Sequence, residues 1–256
     1  MALTMATAFG LMGFTKLAPN HWDLFPWNNQ WEPKVNLSDY LQKKYQKDAT
    51  RLALRLISQD QEYHNLDVEV PDHTVQPIFN ALVSIHNSDL EAAKTVTRIH
   101  KLHTFPVPSV DHFFVVYKRS AKWAIPLRMG ENTTYSEQIN RLLEHYGLVI
   151  DKHVEWDEEK NSFHVKATRS LNIAAIAKAF SSIEGVVLVD LLMPAGDGND
   201  IEVKLLDNSL EINYLIKFGS CISGCKNQRI WTFRVDQQNE VTFVGESGDE
   251  LLVWMK

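Results

Sequence analysis

Between His112 and Asp190 the hydrophobic period switches between two and about 3.6, and that alternation constrains the chain more than any other feature. "HFFVVYK", His112 to Lys118, reads as a strand. "TYSEQINRLLEHYG" reads as a helix, with Thr134 and Glu137 as a capping box, Ile139, Leu142, Leu143 and Tyr146 on one face, and Gly147 as its stop. "LVIDKHVEW" and "SFHVKAT" follow as two strands joined by the charged turn "DEEKN". "NIAAIAKAFSSIEG" supplies a second helix, striped by Ile173, Ile176, Phe180 and Ile183 and ended by Gly185, and "VVLVDLL" a fourth strand. The order β-α-β-β-α-β is that of the ferredoxin-like split βαβ unit, in which two helices cover one face of a four-stranded antiparallel sheet. The opposite face must then be covered or used.

Before this unit the spacing predicts helices. Ser38 is a plausible N-cap for a helix to about Ser58, with Leu41, Tyr45, Ala49, Leu52 and Leu56 at helical intervals. A short strand is expected at Leu66 to Val70, closed by Pro71, then a helix from about His73 to His86 with Pro77 in its first turn. "SDLE" opens a third helix through a Ser88–Glu91 capping box, and the prolines 106 and 108 end it and mark a boundary. Beyond "MPAGDGND", the segments "IEVKLLD", "SLEINYLIKF", "RIWTFRV" and "EVTFVGE" alternate apolar and polar residues and read as a β-meander. That meander either extends the preceding sheet or covers its open face. The expected class is α+β: a helical part over 19–106, the split unit over 107–193 and an antiparallel meander over 194–256.

With 256 residues, 45% hydrophobic and 23% charged, the chain is long enough for one large or two modest cores. A formal net charge of −6 and the absence of a Lys/Arg block argue against nucleic acid as a partner. The run "MALTMATAFGLMGF" is shorter than the ~20 residues a membrane-spanning helix needs, so no transmembrane helix is expected. Residues 1–18 have the texture of a signal-peptide core, with Ala18–Pro19 near a cleavage point, although no basic residue precedes the run and Lys16 stands where a small residue is expected. The alternative is an N-terminal element docked on the core. Export is the favoured expectation.

Cys221 and Cys225 are the only cysteines, and they fall in a connection between two meander strands. No histidine follows His164 to complete a zinc site, and the spacing is not that of a Cys-x-x-Cys redox centre. Two free buried thiols remain an alternative, and a disulfide pinning the loop is favoured. Such a bond agrees with an oxidising compartment.

No catalytic or cofactor signature is visible, and no cofactor is expected. His100 and His103, three apart, with Asp111 and His112 downstream, are the one metal constellation; the competing reading is a helix C-terminus that favours histidine through its dipole. "GDGND" has calcium-like composition without the alternating pattern of a calcium loop. "GESGD" around Ser247 is not a nucleophile elbow. Trp22, Trp27 and Trp31, interspersed with Asn and Pro, are the candidate partner-binding surface, the alternative being that they wrap back over the helices.

"KDATRLALRLIS", "IFNALVSIHN", "HTFPVPS", "LNIAAIAKAF" and the ending "CISGCKNQRIWTFRV" with "ESGDEL" together resemble a group of secreted proteins of Bacteroidota, over most of residues 45 to 250. The resemblance implies export and specifies no activity. Residues 135–190 also resemble the propeptide and inhibitor domain of subtilisin-type proteases, which has the same order of elements. In that family the sheet covers helices on the enzyme surface and the C-terminal tail runs through the active-site cleft. This chain departs from it by continuing beyond Val189 to Lys256. The expected function is therefore a non-catalytic exported module with a protein partner. The alternatives are a protease inhibitor or propeptide-like assistant, and an envelope enzyme or ligand-binding protein without a visible motif.

Overall fold

The computed structural model describes Phe25 and residues 37–58, 62–191 and 194–255. Along the chain run α1 (Asp39–Ile57), α2 (Asp72–Asn87), α3 (Glu91–Lys94), β1 (His112–Lys118), α4 (Ile125–Arg128), α5 (Glu137–Tyr146), β2 (Leu148–Glu155), β3 (Lys160–Ala167), α6 (Ile173–Ser181), β4 (Val186–Asp190), β5 (Asp200–Leu206), β6 (Ser209–Phe218), β7 (Asn227–Asp236) and β8 (Val241–Gly248). The strands form two separate four-stranded sheets, in the orders β2-β3-β1-β4 and β5-β6-β7-β8. All neighbours are antiparallel. The class is α+β.

The first sheet has the strand order of the split βαβ unit. Because side chains alternate across a strand, Phe113, Val115 and Tyr117 of β1 point to one face with Phe163 and Val165 of β3 and Leu148 and Ile150 of β2. Onto that face pack Ile139 of α5 and Ile173, Ile176 and Phe180 of α6. Each such burial contributes on the order of 1.5–3 kcal/mol. Gly147 ends α5 in the left-handed conformation at φ 62°, where a Cβ would sit 2.7 Å from Thr168 Oγ1. Only glycine fits this turn without strain.

The meander does not extend that sheet but forms one of its own. Its inward residues, Ile201, Leu210, Ile212, Tyr214, Trp231 and Phe233, share one core with Tyr45, Ala49 and Leu52 of α1 and Ile78, Leu82 and Ile85 of α2. The first and last thirds of the chain thus bury each other, and the split unit lies between them in sequence with a core of its own. Leu54, Ile57, Leu66 and Val110 form a small third cluster.

Four local expectations are corrected. Leu66 to Val70 is not a strand: it follows a 3₁₀ turn at Tyr63–Asn65, and its alternating apolar residues go to different clusters instead of a sheet neighbour. Asn172 holds it there, its amide N–H bonding Val68 O at 2.9 Å and its side chain bonding Tyr63 O and Asp67 O. Pro77 lies beyond the first turn of α2, which begins at Asp72. Ser88 accepts from Leu90 N and α3 begins at Glu91, so no Ser88–Glu91 capping box forms. The helix then loosens into a π turn, Thr95–Ile99, where Thr95 and Thr97 bond back to carbonyls four residues earlier. In α5 the N-cap is Ser136, accepting from Ile139 N at 3.3 Å; Thr134 sits two residues earlier, buried and bonded to Asn140.

Candidate functional site

The most highly charged interior region is the joint between the two larger cores. Lys47, Asp48, Arg51 and Arg55 form a stripe along α1 at helical intervals, and it faces the connection from Leu102 to Asp111. Asp48 accepts from Thr104 N at 3.1 Å and from its hydroxyl at 2.6 Å, and its other oxygen meets His103 Nδ1 at 2.6 Å. Arg51 donates to Pro108 O at 2.9 Å and to Thr104 Oγ1. Arg55 donates to Val107 O and Phe105 O, both at 2.8 Å, and to Asp200 at 3.0 Å. Asp200 in turn accepts from Phe105 N and Ile201 N. The clamp joins α1, the connection from Leu102 to Asp111 and the first residue of β5. Each charged member is bonded to another element within it, so we read it as structural.

The three candidate metal histidines are held apart by different partners. His103 belongs to this clamp. His112 bonds Asp111, 2.6 Å from its carboxylate, and Lys47 reaches the other oxygen of Asp111. His100 lies against the Trp231 ring, 5.7 Å between centroids, where burial pushes its pKa down. Among the described residues no grouping of three His, Cys, Asp or Glu is arranged to hold a metal. For Asp111, burial alone pushes the carboxyl up, but hydrogen bonds from His112 and Lys47 outweigh it and hold the group well below the usual range.

Cys221 and Cys225 are disulfide-bonded, with Cα atoms 4.0 Å apart. The "GDGND" turn docks on this loop: Asp197 N bonds Cys221 O at 2.9 Å, and a Cβ on Gly196 would lie 2.5 Å from that same oxygen. Trp22, Trp27, Trp31 and residues 1–18 lie outside the described residues.

The remaining surface of note is the outer face of the split unit's sheet. Strand register puts Leu188, Val116, Ser162 and Val154 in one row across all four strands. The adjacent row is Asp190, Phe114, His164 and Lys152, with the Phe114 and His164 rings edge to face. Val116 and Ser162, at the centre of the first row, are 1% and 0% exposed, whereas Leu188 is 51% and Val149 47% exposed at the edges. At the end of the face a recess of about 170 Å³ is lined by Asp111, His112, Asp151, His164 and Lys166 with Phe113 and Val165. Burial, then the nearby Lys152, lowers the pKa of His164. Among the described residues that line it there is no serine, threonine or cysteine to serve as a nucleophile beside the histidines. A larger depression of about 750 Å³ between α5 and α6 has a charged rim in which Glu137 and Arg141 pair with each other.

A sequence signal for this face existed. β1 and β4 are nearly continuous apolar runs, and an antiparallel strand with one solvated face alternates instead. The clamp had a signal too, in charges at helical spacing within an otherwise apolar stretch of α1. No protein-family model matches this chain, and no curated protein or solved structure shows significant similarity to it.

Proposed function

We propose that this chain is an exported, non-catalytic binding module whose working surface is the outer face of the split unit's sheet. The observation that carries the reading is the pair of exposed apolar side chains at the edges of that face, Leu188 at 51% and Val149 at 47%, beside the polar row that holds His164 and Lys152. Exposed apolar side chains beside polar ones are what protein interfaces use. Export draws support from the disulfide, which persists in oxidising compartments, and from the resemblance to secreted proteins. No described helix is long and apolar enough to cross a membrane. The protease-inhibitor alternative draws on the strand order, but residues after β4 lead into β5 and the second core, which leaves them no freedom to thread a cleft.

The test is site-specific photo-crosslinking in the native cells, with the photoreactive residue at Leu188 or, as control, at the exposed Val244 of the other sheet. A discrete protein adduct from position 188 and none from 244 is expected. Equal labelling at both positions, or none at either, refutes the reading.

A further inference from the structure

Among the described residues, the three most exposed large apolar side chains are Ile222 at 89%, Val253 at 88% and Trp254 at 78%, and all three belong to one end of the meander sheet. Ile222 sits in the loop that joins β6 to β7. Asp249, at the exit of β8, is tied to the start of β7: its N–H donates to Gln228 O at 2.7 Å and its carboxylate accepts from Gln228 N at 3.0 Å. Four residues, about 14 Å of chain at most, separate that tie from the turn Val253–Met255. Both tips are built to keep these side chains out. The Cys221–Cys225 bond closes the loop around Ile222 and removes the slack it would need to fold back, and Asp197 N fixes the base of the loop through Cys221 O. In the turn, Leu251 and Met255 pack on the core shared with α1 and α2. Residues four apart in a helical turn share a face, so seating those two directs Val253 and Trp254 outward.

We infer that this end of the meander sheet docks on a lipid surface, with Ile222, Val253 and Trp254 entering the headgroup layer of an uncharged bilayer without spanning it. Singly exposed apolar residues are commonplace, whereas the three most exposed ones gathered at one end form a patch. The charges around them build no field for an anionic surface. Arg229 pairs with Glu246 and Lys217 with Asp197, which leaves exposed one positive charge, Lys226, against two negative ones, Asp249 and Glu250. Contact is therefore apolar. A protein partner would have to supply a pocket for each protruding side chain, but the interfacial layer of a bilayer takes them without a matching shape, and tryptophan is enriched at that depth. This surface is separate from the outer face of the split unit's sheet, so the two readings stand or fall independently.

Co-sedimentation of the oxidised full chain with phosphatidylcholine vesicles is the test, run from roughly 20 to 500 mM salt so that the screening length falls several-fold. The wild type is expected to bind, with a partition coefficient that salt does not lower. Trp254→Asp and Ile222→Asp each withdraw one large apolar side chain and are each expected to weaken binding at least about tenfold, with the wild-type circular dichroism spectrum retained. Val244→Asp, at an exposed position midway along β8, should bind as the wild type does. The run from Met1 to Phe14 is apolar enough to take up lipid by itself, so the variants carry the result rather than wild-type binding alone. No wild-type binding, binding that survives both variants, or binding that needs phosphatidylglycerol and disappears in salt overturns the inference. A chain that no vesicle retains, but that gives a discrete protein adduct from a photoreactive residue at position 254 in the native cells, overturns it too and makes the occupant a protein.

Discussion

The molecule contains two four-stranded antiparallel sheets, each with an inner face buried against helices, and their outer faces differ. On the meander sheet two outer rows are polar and internally paired: Lys204, Glu211, Arg234 and Thr242 in one, with Arg234 3.7 Å from Glu211, and Glu202, Asn213, Thr232 and Gly245 in the next, with Thr232 bonded to Asn213 at 2.8 Å; the row after them, Asp200, Leu215, Ile230 and Ser247, is apolar at its centre, with Leu215 buried. On the split unit's sheet Val116 and Ser162 at the centre of the outer face are buried, and large apolar side chains stand exposed at both edges, Leu188 on β4 and Val149 on β2. Like architectures with unlike outer faces separate what folding requires from what it does not. Inner faces are alike because both must exclude water; the half-exposed Leu188 and Val149 add little to that burial, which is why the binding reading is placed on their face.

If the inner faces are equivalent, cutting either should cost alike. Phe163→Ala and Phe233→Ala, both at fully buried positions, are each expected to lower unfolding free energy by about 3–5 kcal/mol in urea titrations. A cost confined to one of them breaks the equivalence. Asp48→Ala should cost about as much, roughly 3–5 kcal/mol, because it strands Arg51 in the interior; Arg51→Ala, which strands Asp48, is the reciprocal check. Both are read from the same titrations, and a loss under 1 kcal/mol would remove the clamp from the account.

The two regions also differ in how much of them was legible. The split unit is contiguous, so caps, periods and stops act between near neighbours, and β1 matches its sequence-predicted bounds. Gly147 ends α5 as its position suggests. The second core joins segments more than a hundred residues apart, and nothing local in "SLEINYLIKF" says that Tyr214 will pack with the core residues of α1. Leu66 to Val70 failed for a related reason: alternation reports which residues want burial and is silent about whether one sheet provides it. Of the candidate site, the disulfide was legible from the cysteine count and spacing. Which side chains share the outer face was not, because that depends on strand order and register as well as composition.

Smaller effects sharpen the contrast. Reducing the Cys221–Cys225 bond should destabilise the chain by about 2 kcal/mol and raise hydrogen exchange in β6 and β7, leaving β1 to β4 unchanged. Acidification should act in two stages. His86, His100, His153 and His164 all have pKa values lowered chiefly by burial, so the unfolded chain takes up protons first and stability falls as pH drops below about 6.5. Asp111, whose carboxyl is held low, contributes stability that is present above about pH 4 and is lost below it. Urea midpoints measured from pH 7 to pH 3 should show both stages. A midpoint that does not fall between pH 7 and 5 contradicts the first.

The smallest expected change in stability belongs to the pair Leu188→Asp and Val244→Asp, each within about 0.5 kcal/mol of wild type, since both side chains are half exposed. Their effects on binding should be far apart, and that difference is the most direct test of the claim that the split unit's outer face is the working surface. Photo-crosslinking in the native cells, from a photoreactive residue at Val149 in the wild type and in each variant, is the measurement. The account predicts a discrete protein adduct for the wild type and Val244→Asp and none for Leu188→Asp. Loss of the adduct in Val244→Asp, or a Leu188→Asp chain that keeps it, contradicts it.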